Sequence, residues 1–324
     1  MMTILGRSPI HARLLALVDA AAGNDAEVLI QGPSGVGKEL YARRVHEQSP
    51  RAPHPFIPVN CGALPPDLFE NELFGHVGGA FTGARSRARG LVAEAEHGTL
   101  FLDEVDALPL ASQVKLLRLI QQKEYRPLGD SRLYRSDVRI IAATNADLLA
   151  ETQAGHFRFD LFFRLRVLPI EVPPLRERPE DIPPLLEHYL QHYAVEYGQA
   201  PVTFSPEALE RLLTYSWPGN VREVENCARY LLCTRPGSRV EVEHLPLLSE
   251  LTPSTAARLE AQRLSRESFQ DAKRRVVEAF ERAWVEESLT EHEGNIAAAA
   301  RASGKHRRAF FELMRRHGLK ARSR

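Results

Sequence analysis

No apolar run in this 324-residue sequence approaches the roughly 18 residues that a membrane-spanning helix needs. The opening segment, Met1-Met2-Thr3-Ile4-Leu5-Gly6-Arg7, lacks the apolar region of a secretory signal. Cysteine is scarce. Cys61, Cys227 and Cys233 are odd in number and no metal-ligand spacing links them, which argues against a disulfide framework or a zinc site. They read as reduced, structural thiols of a reducing compartment. Net charge is missing too: 42 Lys and Arg balance 42 Asp and Glu, so bulk charge points to no polyanionic partner. There is no internal repeat and no low-complexity segment. What remains is a soluble, cytoplasmic chain with no membrane partner, long enough for two or three domains around a sizeable core.

The charge balance hides an asymmetry. From residue 295 to the end, nine basic residues (Arg301, Lys305, Arg307, Arg308, Arg315, Arg316, Lys320, Arg322, Arg324) face a single acid, Glu312. A basic end on a neutral protein points to a nucleic-acid contact. Upstream, short apolar runs at 27–31, 56–60, 99–103, 138–144 and 167–172 alternate with helical patterns such as 38–48 and 110–123. That alternation predicts an α/β domain with a mostly parallel sheet, whose ligands bind beyond the carboxyl ends of the strands. Pro173-Pro174 opens a proline-rich connection. Helical patterns follow to about residue 232, broken at Trp217-Pro218-Gly219-Asn220, and predict a smaller helical domain. The expected domains are 1–172, 173–248, a linker at 249–268 and a terminal domain at 269–324.

Gly32-Pro33-Ser34-Gly35-Val36-Gly37-Lys38 follows a candidate strand and precedes a helix, the context of a P-loop. Its glycines let backbone N–H groups curl around phosphates, and Lys38 neutralises them. Glu39 stands where a magnesium-binding hydroxyl is usual. Leu100-Phe101-Leu102-Asp103-Glu104, an apolar strand ending in two carboxylates, lies 65 residues after Lys38. Asp103 suits Mg²⁺ and Glu104 suits polarisation of an attacking water. Asn60 and Asn145 close other strands, where they would orient water or a γ-phosphate, or serve as plain turn residues. Arg158 and Arg164, six apart, do not share one face of a straight helix. They are surface or ion-paired groups, or charges placed against a phosphate.

Two further segments stand out. In Gly79-Ala80-Phe81-Thr82-Gly83-Ala84 an aromatic and a hydroxyl sit among small residues, so the loop either presents Phe81 or tucks it into the core as a tight hairpin. Near the end, a short helix at 296–302, a turn at Gly304 and a second helix to about His317 make a helix-turn-helix pattern. Lys305, His306, Arg307 and Arg308 open the second helix, where base and phosphate contacts are made, and Arg315 and Arg316 add phosphate contacts.

These motifs, together with Glu72-Leu73-Phe74-Gly75-His76, Pro173-Pro174-Leu175-Arg176-Glu177-Arg178 and Trp217-Pro218-Gly219-Asn220-Val221-Arg222-Glu223, resemble the AAA+ domain of sigma-54-dependent activators, the bacterial enhancer-binding proteins. The resemblance runs from about residue 4 to 245, and the hexapeptide 79–84 is its most specific part. It implies an AAA+ P-loop core, an α-helical lid and a C-terminal helix-turn-helix of the factor-for-inversion type. It implies a Mg-dependent ATPase that remodels the closed complex of sigma-54 RNA polymerase holoenzyme into the open complex. In such proteins Glu39 is ordinary, and Asn60 restrains the water-polarising glutamate until the γ-phosphate is sensed. Asn145 matches sensor I and Arg222 the sensor II of the lid. Arg158 and Arg164 match arginines that reach a neighbour's ATP site, so the resemblance implies a ring, normally a hexamer, built from dimers. Loop 79–84 would touch sigma-54, with Glu72 and its helix relaying the nucleotide state and a second pore-facing loop at 126–135. A helix at 269–291 would pair two chains on an upstream palindromic site in double-stranded DNA. Most such activators carry an N-terminal regulatory domain. Here the ATPase motifs begin almost at Met1, so control is expected from a protein in trans, from expression level, or not at all. A nucleotide-sensing DNA-binding protein without turnover and a different AAA+ remodeller are the competing readings. Retained catalytic groups oppose the former; loop 79–84 and the helix-turn-helix oppose the latter.

Overall fold

The computed structural model describes residues 4–247, apart from 64, 81–85, 201, 235–236 and 238, together with Ile296 and Met314. The chain divides into two compact units, Met1–Pro246 and Leu247–Arg324. The first holds a five-stranded sheet: β1 (Val28–Gln31), β2 (Phe56–Asn60), β3 (Thr99–Asp103), β4 (Arg139–Thr144) and β5 (Leu168–Glu171). All four pairings are parallel, in the order β2-β3-β4-β1-β5. The strands expected from the sequence fall within a residue of these bounds.

Successive residues of each strand feed opposite cores, which is why the strands read as continuous apolar runs rather than as alternating ones. Ile30, Phe101, Ile141 and Ile170 face one side. There they pack on Leu14 and Val18 of α1 (Pro9–Ala22) and on Tyr41 and Val45 of α2 (Lys38–Glu47). Leu29, Leu100, Leu102 and Ile140 face the other. Their partners come from α3 (Pro66–Phe74), α4 (Leu91–Glu94), α5 (Leu110–Gln122), α6 (Leu148–Gln153) and α7 (Phe159–Leu165). Leu102 is fully buried, so truncation to Ala removes a side chain from a close-packed layer and costs about 2–5 kcal/mol.

The helical lid comprises α8 (Ile182–Glu196), α9 (Pro206–Thr214) and α10 (Asn220–Thr234). Ser205 caps α9 by accepting the Ala208 N–H at 3.1 Å, with Pro206 preset for the first turn. Between α9 and α10 the chain reverses at Trp217 and Asn220, with φ of 46° and 53°. Trp217 is buried and its indole N–H donates to the Leu212 carbonyl at 2.9 Å, which fixes the turn. Leu190, Tyr193 and Ala194 of α8 pack on Ala228 and Leu232 of α10. Among the described residues no helix is long and apolar enough to cross a membrane. The expected helix-turn-helix, with Lys305, His306, Arg307, Arg308, Arg315 and Arg316, lies outside the described residues, as does the pairing helix at 269–291.

Two buried imidazoles make stability depend on pH. His11, on the first turn of α1, and His46, whose Nδ1 lies 2.9 Å from the Thr99 hydroxyl, are both held below the ordinary 6.5, chiefly by burial. The unfolded chain therefore takes up protons first. Their contribution is intact above about pH 6.5 and is lost as pH falls through the lowered values. The thermal midpoint is expected to drop between about pH 7 and 5.5. In His46→Gln the drop should be shallower; an identical pH profile would show that His46 does not drive it.

Candidate functional site

At the carboxyl ends of β1, β3 and β4 a cleft of about 310 Å³ is lined by Ser34, Gly35, Gly37, Lys38, Glu39, Asp103, Glu104, Asn145 and, from the lid, Tyr189, Arg222 and Glu225. The P-loop leaves β1, curls through Gly35 and Gly37 at φ of 78° and 93°, and enters α2 at Lys38. A Cβ on Gly35 would stand 2.3 Å from the Gly219 carbonyl of the lid, so no other residue fits without displacing backbone. Lys38 Nζ donates to the Gly32 and Pro33 carbonyls at 2.8 and 3.2 Å. Burial lowers its pKa, opposed by Asp103, Asp106 and Glu104. Glu39 opens α2 and bonds Arg43 one turn on, at 2.7 Å.

Asp103 ends β3, and burial raises its pKa against the pull of the Glu104 N–H and Lys38. Its Oδ1 accepts that N–H at 3.0 Å. Glu104 sits at φ 53°, the left-handed region, which costs about 1–2 kcal/mol for a residue with a side chain. Parallel register sets Asn60 beside Asp103 at the end of the neighbouring strand. The Asn60 side-chain Oδ1 accepts the Gly62 N–H at 2.8 Å, and Glu104 Oε2 lies 2.6 Å from where a Gly62 Cβ would stand. The glutamate thus rests on a glycine held by the asparagine. Gly62→Ala is expected to push that carboxylate aside and slow turnover about ten-fold, because small misplacements of a catalytic group are expensive. Nucleotide affinity should stay near wild type; unchanged turnover would show that the carboxylate is not seated there.

The sequence did not single out several groups that the fold brings here. Thr144, buried at the end of β4, donates a short hydrogen bond to Asp106 and accepts the Ala146 N–H at 3.0 Å. This ties the Asn145 turn to the segment after Glu104. A second, largely apolar hollow is lined by Ile4, Leu5, Val36, Leu40, Tyr41, Leu185, His188, Tyr189 and Val221, with Arg178 also in its wall. It shares Gly37, Leu40, Tyr189 and Val221 with the polar cleft, so an apolar recess continues into a charged one, the shape that suits a base joined to phosphates. Arg222 stands 3.4 Å from the Ser34 hydroxyl.

Other expected site residues lie elsewhere. Arg158 stands at the N-terminal boundary of α7, and its guanidinium makes two hydrogen bonds to Asp160, at 3.0 and 2.7 Å. Arg164 is exposed on the last turn of the same helix. Neither lines the cleft. Phe81, Thr82, Gly83 and Ala84 fall outside the described residues, whereas Gly79 and Ala80 are placed. The segment's flanks pair antiparallel, Gly75 with Arg89 and His76 with Ala88. The 126–135 segment is closed by pairing of Glu124 with Arg135 and Tyr125 with Tyr134. It adds to that stem: Leu128 N donates to Gly75 O at 2.8 Å and Val77 N to Leu128 O at 3.1 Å. A second cavity of about 360 Å³ lies there, lined by Lys115, Arg118, Tyr125 and Leu128 among others. It is similar in size to the cleft but has neither glycine loop nor adjacent carboxylate pair. All three cysteines are free. Burial pushes the Cys61 thiol up strongly and that of Cys227 to about 12, so both are inert, while Cys233 is exposed.

A P-loop at a parallel sheet of this order, closed by a helical lid that contributes an arginine, defines the AAA+ class. The comparisons carry this further. The sequence profile of the "Sigma-54 interaction domain" matches residues 4–171, and that of the "AAA+ ATPase lid domain" matches 176–262. The chain belongs to the family of sigma-54-dependent activators. It is 43% identical to the anaerobic nitric oxide reductase transcription regulator NorR of Citrobacter koseri over 324 residues, 98% of this chain and 63% of that protein. It is likewise 43% identical to the transcriptional regulatory protein GlrR of Escherichia coli over 318 residues, 98% of this chain and 68% of that one. The chain thus spans about two thirds of the length of these relatives. Among solved structures, NtrX from Brucella abortus in complex with ATP is 32% identical, with a TM-score of 0.72 over 98% of this chain and 70% of that one. The same protein in complex with ADP is 33% identical, with a TM-score of 0.73 and the same coverage.

Proposed function

We propose that this chain is a Mg-dependent ATPase that remodels sigma-54 RNA polymerase from the closed to the open promoter complex. One observation carries the reading. Lys38, Asp103, Glu104 and the lid's Arg222 converge on one cleft in a chain matched by the sigma-54 interaction profile. NtrX, similar in fold and sequence, was solved with ATP and with ADP, which supports the nucleotide.

The residues suit a magnesium ion bound through phosphate. Among the described residues no group of three or more His, Cys, Asp or Glu could hold a metal by itself. Asp103 and Glu104 nevertheless bring carboxylates together beside a single partly buried ammonium. Mg²⁺ binds through one or two carboxylates plus phosphate oxygens, and when bound it would neutralise charge on the β and γ phosphates. Around it, Lys38 and the loop N–H groups hold phosphate, Glu104 polarises water, and Asn60 and Asn145 orient it. Arg222 from the lid and the half-buried Arg158 and exposed Arg164 from an adjacent subunit complete the charge balance. For Arg158 that requires release of Asp160. A site shared in this way calls for a ring, read as a hexamer assembled from dimers. Segment 79–84 contacts sigma-54, and the basic end, through Lys305, His306, Arg307, Arg308, Arg315 and Arg316, holds upstream double-stranded DNA in the cytoplasm.

The test is promoter melting by purified protein with sigma-54 holoenzyme, read as permanganate reactivity of unpaired thymines. Melting is expected with ATP and absent with ADP or with the housekeeping holoenzyme. Hydrolysis without any sigma-54-dependent melting would overturn the assignment of partner.

A further inference from the structure

Three successive carbonyls of the phosphate loop are bonded by donors that follow β5. Asn220 Nδ2 donates to Ser34 O at 2.9 Å, Arg222 N to Gly35 O at 3.2 Å and Arg178 Nη2 to Val36 O at 3.4 Å. Among the described residues no peptide bond is cis. In a trans peptide the N–H of the following residue points opposite the carbonyl. Drawing the carbonyls of 34, 35 and 36 toward the lid therefore turns the N–H groups of Gly35, Val36 and Gly37 the other way. Those are the donors with which such a loop cradles phosphate.

Asn220 does most to join the two parts. It is buried to 2% exposure, and its φ of 53° suits Asn better than most residues. While Nδ2 holds Ser34 O, its Oδ1 accepts the Leu175 N–H at 2.8 Å, at the start of the connection from the sheet to the lid. One amide thus spans phosphate loop, connection and lid helix α10. Arg178 acts beside it. Its guanidinium lies 3.4 Å from the Tyr41 hydroxyl and 3.7 Å from Asp181, which in turn accepts the Arg7 and Ser8 N–H groups at 2.6 and 2.7 Å.

We propose that Asn220 is a positioning residue that sets the phosphate-binding conformation of the loop through the lid, so that loop geometry and lid position form one mechanical unit. The proposal rests on the reading of the cleft as an ATP site.

Two variants separate its bonds. Asn220→Asp keeps the acceptor for Leu175 N–H but sets an oxygen against Ser34 O. Asn220→Gly keeps the left-handed backbone and removes both bonds. Each is checked for folding by circular dichroism, then assayed for binding of a fluorescent ATP analogue, for the KM and kcat of ATPase, and for amide hydrogen exchange. For Asn220→Asp we expect Kd and KM to rise about ten-fold with kcat within about three-fold, because the loop is mis-set while the catalytic carboxylates are untouched. Exchange should quicken at Arg222, whose N–H donates to Gly35 O, and stay unchanged at Leu175. In Asn220→Gly both regions should exchange faster and affinity should fall at least as far. Wild-type affinity in either folded variant overturns the proposal. If the wild type binds no ATP, the cleft assignment fails. Exchange still decides the clamp: unchanged protection of the Arg222 N–H, which Gly35 O accepts, in Asn220→Asp overturns it with no nucleotide present.

Discussion

A Glu104→Gln protein is expected to bind ATP with near wild-type affinity and to hydrolyse it about 10²–10⁴-fold more slowly, the usual contribution of a positioned general base. The substitution is nearly isosteric, so the features that place the side chain survive it. Backbone φ at 53° is held by the Glu104 N–H to Asp103 and by the Ala107 N–H to the Glu104 carbonyl at 2.9 Å. The amide would occupy the same shelf over Gly62. What it loses is the capacity to take a proton from water. Binding rests on other groups: Lys38, the glycine loop and the apolar hollow between Leu40, Tyr189 and Val221. Equilibrium binding of a fluorescent ATP analogue and steady-state phosphate release measure the two halves. Hydrolysis within a few-fold of wild type would remove Glu104 from its role, and loss of binding would recast it as a ligand-holding residue.

The candidate carboxylates Asp103 and Glu104 were legible because their signal is local. A glycine loop between strand and helix, and an apolar strand ending in Asp-Glu, each occupy one short window, and strand bounds followed from short apolar runs. Asn60 was legible from its residues as a strand end that could orient water, and its restraint of the glutamate came from the family resemblance alone; its place beside Asp103 is a matter of register between β2 and β3, which no window of sequence contains. The groups that were missed are long-range pairs. Asn220 meets Ser34 across 186 positions, and Thr144 meets Asp106 across 38. Tyr189 and Val221 read as ordinary lid residues until the lid folds over the cleft. Ile4 and Leu5, read from sequence only as the absence of a signal segment, line the apolar hollow. The Arg158–Asp160 pairing is local, yet residue types alone did not distinguish an arginine held by its neighbour from one free to reach another subunit.

Thr82→Ala should leave ATP hydrolysis within about two-fold of wild type and reduce sigma-54 promoter opening at least ten-fold, if the role proposed for segment 79–84 as the sigma-54 contact holds. The expectation rests on how the segment is attached. Its stem, Gly75–His76 against Ala88–Arg89, contributes no residue to the nucleotide cleft. The path between them runs through α3, where Glu70 binds Ser112 and Lys115 of α5 at 3.2 and 2.6 Å. It also runs through the 126–135 segment, where Gly129, at φ 76°, packs so closely that a Cβ would stand 2.7 Å from that of Ala80. Thr82→Ala alters neither route, so the ATP site should not register it, whereas a change at Gly129 would disturb the stem itself. Hydrolysis is read as phosphate release, opening as permanganate reactivity, and engagement as co-migration of sigma-54 with protein held in ADP and aluminium fluoride. The decisive pattern is full hydrolysis with neither engagement nor opening. Equal opening by Thr82→Ala and wild type would sink the assignment of this loop, and parallel loss of hydrolysis would place Thr82 in the relay rather than at the contact.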